Sequence, residues 1–96
     1  QVARDIFARE GVAPWEFGLG HQVGRAVHDG GCLLGPRWER YGQRPYDRVE
    51  KDQVYTLEIG MSVPGYGRVN LEEDVVVTAD GCEFLTPPQR EPILIG

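Results

Sequence analysis

Only two histidines occur in the chain, and they stand seven residues apart in the glycine-rich stretch Gly20-His21-Gln22-Val23-Gly24-Arg25-Ala26-Val27-His28-Asp29. Farther along, Glu58 and Glu72 flank Pro64-Gly65-Tyr66-Gly67, a segment with turn chemistry. Before that turn Tyr55, Leu57, Ile59, Met61 and Val63 alternate with Thr56, Glu58 and Ser62, the period-two signature of a strand with one apolar face. After it Leu71, Val75 and Val77 alternate with Asn70, Glu72 and Asp74. A hairpin folded about Gly65 brings Glu58 opposite Glu72 on its polar face. Centred half a residue later, it brings Glu58 opposite Glu73 instead. The alternation of the return strand favours the first register, because a slip of one residue turns every side chain to the other face. Directly opposed Cβ atoms lie about 4.5–5.5 Å apart. Two carboxylates at that separation repel, so the arrangement asks for a cation between them: Arg, Lys or a metal ion. Histidine with several carboxylates is a donor set of borderline hardness, suited to Mn²⁺, Co²⁺, Fe²⁺ or Zn²⁺.

Each of these residues also has an ordinary role open to it. A lone histidine commonly satisfies a local hydrogen bond, and a polar strand face is commonly solvated. The run Glu72-Glu73-Asp74 can act as an acidic edge that discourages strand aggregation. Strict alternation sets Glu73 among Val69, Leu71 and Val75, which requires a bulge, a salt bridge or a partly open face. Other chemistries lack their motifs. There is no GxxxxGK[ST] and no GxGxxG after a strand, so the glycines around His21 do not form a phosphate loop. No Ser/His/Asp or Cys/His arrangement stands out.

The elements that must hold these residues can be read in order. Val2, Ala3, Ile6 and Phe7 pair at i,i+4 and predict an amphipathic helix over residues 1–10, ended by Gly11 in a left-handed conformation with Pro14 beyond it. Six glycines between 18 and 35 exclude a continuous helix there. Residues 36–53, rich in Arg, Tyr and Asp, read as a long exposed loop of the kind that is usually functional or mobile. The hairpin follows, with strands over 54–63 and 69–78. Asp80-Gly81 then turns the chain into a short strand, 83–85, and Pro87-Pro88 ends it.

With 96 residues and 41% hydrophobic content, the chain has room for one small domain. Ten Lys and Arg against fifteen Asp and Glu give a net charge of -5, which argues against a nucleic-acid or anionic-membrane surface. No apolar run approaches the roughly 20 residues that span a bilayer. The two cysteines, Cys32 and Cys82, lie far apart and suggest neither a disulfide framework nor a zinc ribbon, so a reducing, cytoplasmic setting is expected. The chain begins Gln1-Val2-Ala3-Arg4, inside helical text and without Met, and reads as the cut end of something longer.

Taken in order, these motifs resemble a known family. Gly20-His21-x-x-Gly24 with His28, then Thr56-Leu57-Glu58-x-Gly60-Met61, then Leu71-Glu72-Glu73-Asp74 with Val76 and Thr78, then Gly81 and Phe84-Leu85-Thr86, are similar to the C-terminal half of the pita-bread metallopeptidases. That family contains prolidase, aminopeptidase P, methionine aminopeptidase and the non-peptidase creatinase. The resemblance runs over roughly residues 18–88. The pair His28-Asp29 and the fourteen-residue step from Glu58 to Glu72 look most like the proline-directed peptidases. It implies an α+β fold, with residues 1–96 as the C-terminal half of a pita-bread catalytic domain: a curved antiparallel sheet carrying the ligands, with a flanking helix.

In that family two aspartates, one histidine and two glutamates hold two divalent metal ions. By motif His21 corresponds to the ligand histidine, Glu58 to the first glutamate and Glu72 to the second, bridging one. His28 corresponds to the histidine that contacts the substrate carbonyl and its tetrahedral intermediate. The implied activity is a two-metal aminopeptidase or dipeptidase, with a peptide substrate, acting at Xaa-Pro bonds through a metal-bridged hydroxide. Glu58 would also accept the proton of that water, and His28 would donate to the developing oxyanion. No two aspartates here are eleven residues apart, as the family's pair is, so the 96 residues alone are expected to be inactive, to hold metal weakly, and to self-associate through an uncovered sheet face. A creatinase-like hydrolase, a catalytically inactive pita-bread binding module and a small acidic domain with a structural cation are the alternatives. Three positions depart from the pattern: Gln22 where a glycine is usual, Ile59 where a proline is usual, and Asn70, with Arg68 two residues earlier, where aminopeptidase P-like members carry an arginine. All three bear on the substrate and none on the ligands.

Overall fold

Glycine stops the first element where the sequence places the stop. In a computed structural model describing residues 1–96, helix α1 spans Val2–Arg9, and Gly11 follows at φ +66° with its N–H donating to the Ala8 carbonyl at 3.2 Å. The four apolar residues of α1 form two i,i+4 rows about 100° apart, and only one row can face inward. Ala3 and Phe7 take that position, lining a cleft with Trp15, Phe17, Leu19 and Leu34, while Val2 and Ile6 face solvent.

The glycine-rich stretch is not helical. It holds two short strands that no alternation announces, β1 (Gly20–Val23) and β2 (Leu33–Leu34). The segment after them is mostly exposed, as expected, but carries two 3₁₀ turns, Glu39–Tyr41 and Arg44–Tyr46. It is tied back at several points, two of them next to Gly18. Tyr41 Oη accepts from the Gly18 N–H at 3.0 Å. Arg40 lies 4.5 Å from the Trp38 ring centroid and donates to the Glu16 carbonyl.

The hairpin forms as read, with β3 at Val54–Val63 and β4 at Gly67–Val77, and β5 (Cys82–Phe84) follows. Strand β4 starts two residues earlier than the alternation suggests, because Gly67 at φ +125° can leave the turn and pair at once with Val63. Strand order is β2-β1-β3-β4-β5, and every pairing is antiparallel. The β3–β4 register is continuous from Val54↔Val76 to Val63↔Gly67, with Glu58 opposite Glu72 and Leu57 opposite Glu73. The first of the two registers open to the sequence is therefore the one adopted.

One face of the sheet carries the core, but only at one end. Cys32, Tyr55 and Val75 are buried, with Leu34, Leu57 and Val77 packed around them. Farther along the same face Ile59, Met61, Val69 and Leu71 stay exposed, because no other element of the chain covers them. Glu73, the misfit on this face, is relieved by neither bulge nor salt bridge. Its Oε1 accepts from the Gln89 N–H at 2.7 Å, so the C-terminal segment caps the carboxylate.

Tyr55 is the largest fully buried side chain, and its hydroxyl donates to Gln53 Oε1 at 2.8 Å. Burial, with the neighbouring Cys32 thiol next in importance, pushes the phenol far above its ordinary value of 10.0. The unfolded chain would ionise this group near pH 10 while the folded chain keeps it neutral. Its contribution to stability is therefore complete below pH 10 and is lost as pH rises beyond it. Circular dichroism through an alkaline titration should show unfolding that begins above pH 10 and moves upward in Tyr55→Phe. An unshifted transition in that variant would assign alkaline unfolding to other groups.

Candidate metal centre

The polar face of the hairpin is a ladder of opposed pairs: Ser62–Arg68, Gly60–Asn70, Glu58–Glu72 and Thr56–Asp74. Alternation alone brings the two glutamates together. The histidine arrives by a different route. Pairing of Gln22 with Tyr55 and of Val23 with Val54 runs β1 antiparallel to β3, so His21 falls beside Thr56 and projects to the glutamate face. The Glu58 N–H donates to the Leu19 carbonyl at 2.7 Å, and the His21 N–H donates to Thr56 Oγ1 at 3.0 Å. The approach is close. A Cβ on residue 20 would run into the Thr56 carbonyl, so the residue before His21 has to be glycine for the strands to meet here.

His21, Glu58 and Glu72 each present a ligand atom within 4.8 Å of the others. His21 is buried, at 6% exposure, Glu58 is half-buried and Glu72 is exposed, so the group opens to solvent on one side. Nδ1 of His21 lies 3.1 Å from the Gln22 carbonyl oxygen. A carbonyl can only accept, so this contact sets the proton on Nδ1 and leaves the Nε2 lone pair available to a metal. The chain's salt bridges join Arg9 to Glu10 and Lys51 to Asp52, and none reaches Glu58 or Glu72. No Lys or Arg therefore balances the opposed carboxylates. A neutral imidazole with two carboxylates fits a divalent transition ion, and the carboxylates would supply two negative charges to balance it.

His28 lies against this group rather than in it. Its ring stacks on that of His21, with centroids 4.1 Å apart and planes at 30°. The turn that brings it back is held by Asp29, whose carboxylate accepts the Arg25 N–H at 2.8 Å. Asp74 shares the ladder face, opposite Thr56, but stands outside the donor cluster. A cleft of about 430 Å³ adjoins the glutamates, walled by Trp15 and Phe17 and by Arg68 and Asn70. The two aromatic residues escaped the sequence reading. Their only signal is an alternating Trp15-x-Phe17 step leading into Gly18-Leu19-Gly20.

The sequence model of metallopeptidase family M24 matches residues 1–79. The Xaa-Pro dipeptidase of Pyrococcus horikoshii is 32% identical over 93 residues, which are 96% of this chain and 24% of that protein. Among solved structures, the X-Pro aminopeptidase of Thermotoga maritima superposes with a TM-score of 0.72 at 31% identity, covering 94% of this chain and 24% of that one. The Pyrococcus horikoshii prolidase gives 0.70 at 30% identity, covering 96% and 24%. The chain thus spans about a quarter of the length of these relatives. The likeness covers the sheet and the flanking helix, so the architecture is part of the pita-bread fold that these peptidases share. With the family's sequence pattern running through the strands that carry His21, Glu58 and Glu72, this chain belongs to metallopeptidase family M24.

Proposed function

We propose that this chain is the C-terminal part of the catalytic domain of a two-metal peptidase that cleaves Xaa-Pro dipeptides or N-terminal Xaa-Pro bonds. The convergence of His21, Glu58 and Glu72 donor atoms within 4.8 Å carries this reading. The relatives are named Xaa-Pro dipeptidase, prolidase and X-Pro aminopeptidase, which supports the substrate class. His21 would hold metal through Nε2, and Glu58 and Glu72 through their carboxylates. Mn²⁺, Co²⁺, Zn²⁺ and Fe²⁺ all suit such donors. When bound, divalent ions polarise a carbonyl and lower the pKa of water enough to supply a nucleophile near neutral pH.

The chain's own residues do the rest. Glu58, half-buried beside the other two donors, would accept the proton of the attacking water. His28, whose ring stacks on that of His21, would donate to the oxygen on which charge develops. Trp15 and Phe17 offer an apolar wall that excludes water from one side of the cleft. No helix of the chain is long and apolar enough to cross a membrane, and the two free cysteines, Cys32 and Cys82, fit a reducing compartment such as the cytoplasm.

Metal removal tests the reading. In the complete polypeptide, hydrolysis of Xaa-Pro dipeptides should fall to background after dialysis against a chelator and return with Mn²⁺ or Co²⁺. Full activity in protein shown to be metal-free by mass spectrometry would overturn it.

A further inference from the structure

On the reading of His28 as the oxyanion donor, we infer that Gln22 is its positioning residue. The Gln22 side chain supports the loop that carries His28 and so holds that imidazole against His21. Residues 24–32 join β1 to β2. Residues 24–31 are all exposed, so no packed core keeps this connection in place. Two bonds shape it from within: Asp29 accepts the Arg25 N–H at 2.8 Å, and the Gly24 N–H donates to the Ala26 carbonyl at 3.2 Å. Neither fastens the loop to the sheet. Arg44 reaches only its end, donating to the Gly31 carbonyl at 3.4 Å.

The return half of the loop meets Gln22 twice. The Asp29 N–H donates to the Gln22 carbonyl at 3.3 Å, and a Cβ on residue 30 would run into the Gln22 side-chain amide. Gly30 stands at φ +90°, so glycine is required there by its own backbone and by the amide beneath it.

Alternation divides the two histidine-side contacts between the faces of the sheet. Gln22 pairs with the buried Tyr55, so its half-buried side chain leaves β1 on the face opposite that of His21. The loop therefore straddles the end of β1. His28 stacks on His21 at 4.1 Å on one side, and Gly30 rests on Gln22 on the other. A firm support under one arm fixes how far the other arm reaches. The Gln22 carbonyl also lies 3.1 Å from His21 Nδ1, and its two lone pairs serve the ligand ring and the loop together. Truncating the side chain leaves that carbonyl, and with it the tautomer of His21, in place. Only the support under Gly30 is lost.

The test is a double-mutant cycle on Ala-Pro hydrolysis by the Mn²⁺-loaded complete polypeptide. Gln22→Ala should lower kcat about 10- to 100-fold, the scale of a misplacement of about 1 Å, with KM and metal content by mass spectrometry little changed. Gln22→Met, unbranched and of similar volume, should recover most of the loss. In a His28→Ala background, Gln22→Ala should cost less than about twofold further, because the imidazole it positions is gone. An equal fold-loss in both backgrounds, no loss with His28 present, or metal loss in Gln22→Ala would overturn the assignment. A second readout is independent of turnover. In the Zn²⁺-loaded polypeptide labelled at histidine Cε1, the His28 resonance is identified by its absence in His28→Ala. The His21 ring should shift it upfield in wild type and in Gln22→Met, and it should move toward the free-histidine position in Gln22→Ala. Should wild type hydrolyse no Xaa-Pro dipeptide, the peptidase reading fails and this resonance decides on Gln22 alone. A signal that moves as expected supports the positioning role; one unmoved in Gln22→Ala refutes it.

Discussion

Replacing Glu72 by alanine in the complete polypeptide should strip bound divalent metal and reduce hydrolysis to the level of chelator-treated protein. Glu72 faces Glu58 across the hairpin with no side-chain cation to balance the pair. Loss of either carboxylate removes a charged ligand and leaves a divalent ion with less negative charge to hold it. Glu58→Ala should be equally severe and also removes the proton acceptor. His21→Ala should lower occupancy of one ion, since it removes one neutral ligand and leaves both carboxylates in place. Asp74→Ala is the control. It lies on the same face but two residues along β4, about 7 Å from Glu72, and outside the donor cluster. Its metal content and activity should stay near wild type. Unchanged metal in Glu58→Ala and Glu72→Ala, or a loss in Asp74→Ala as complete as theirs, would show that the donors have been misassigned.

His28→Ala has the next largest expected effect and a different signature. With His28 acting on the substrate side, kcat should drop about 10²–10³-fold, the worth of one oxyanion donor, while metal stays bound. The stack on His21 at 4.1 Å offers a competing role, in which His28 merely holds the ligand ring in place. That role predicts metal loss like that of His21→Ala, with activity recovered at high Mn²⁺. A His28→Phe variant separates the two further. It keeps a ring to stack but no proton to donate, so it should behave like His28→Ala if the donor role holds and like wild type if stacking is all that matters.

The hairpin and its carboxylate pair were legible because they are local. Apolar side chains at every second position from Tyr55 to Val63, a turn at Pro64-Gly65, and a matching alternation through Val77 admit two registers, and the return strand prefers one. The helix end at Gly11 is local in the same sense, since positive φ selects glycine wherever it occurs. Which row of α1 turns inward was not legible. Two adjacent i,i+4 rows are equally apolar, and only the position of Trp15, Phe17 and Leu34 chooses Ala3 and Phe7.

The position of His21 is the clearest case of what local pattern cannot carry. Resemblance to a family named it as a ligand, but spacing alone left it one of two histidines in a run of glycines. Strands β1 and β2 are too short for periodicity to show, and the key hydrogen bond at His21 goes to the Thr56 hydroxyl rather than to a backbone group. The meeting depends on Gly20 letting two backbones approach, 36 residues apart in sequence from Thr56. Glu73 and Arg68 follow the same rule. Alternation marked the first as a misfit, yet its partner is a backbone N–H sixteen residues away at Gln89. The second reads as the partner of Ser62, yet its side chain is drawn over Gly60 by Asn70 and Trp15. The sequence by itself determined the hairpin, its register and the facing carboxylates, because period-two burial and turn geometry act between near neighbours. The tertiary structure alone decided which histidine joins them and where the Arg68 guanidinium lies, because those positions follow from close packing between segments far apart in the chain.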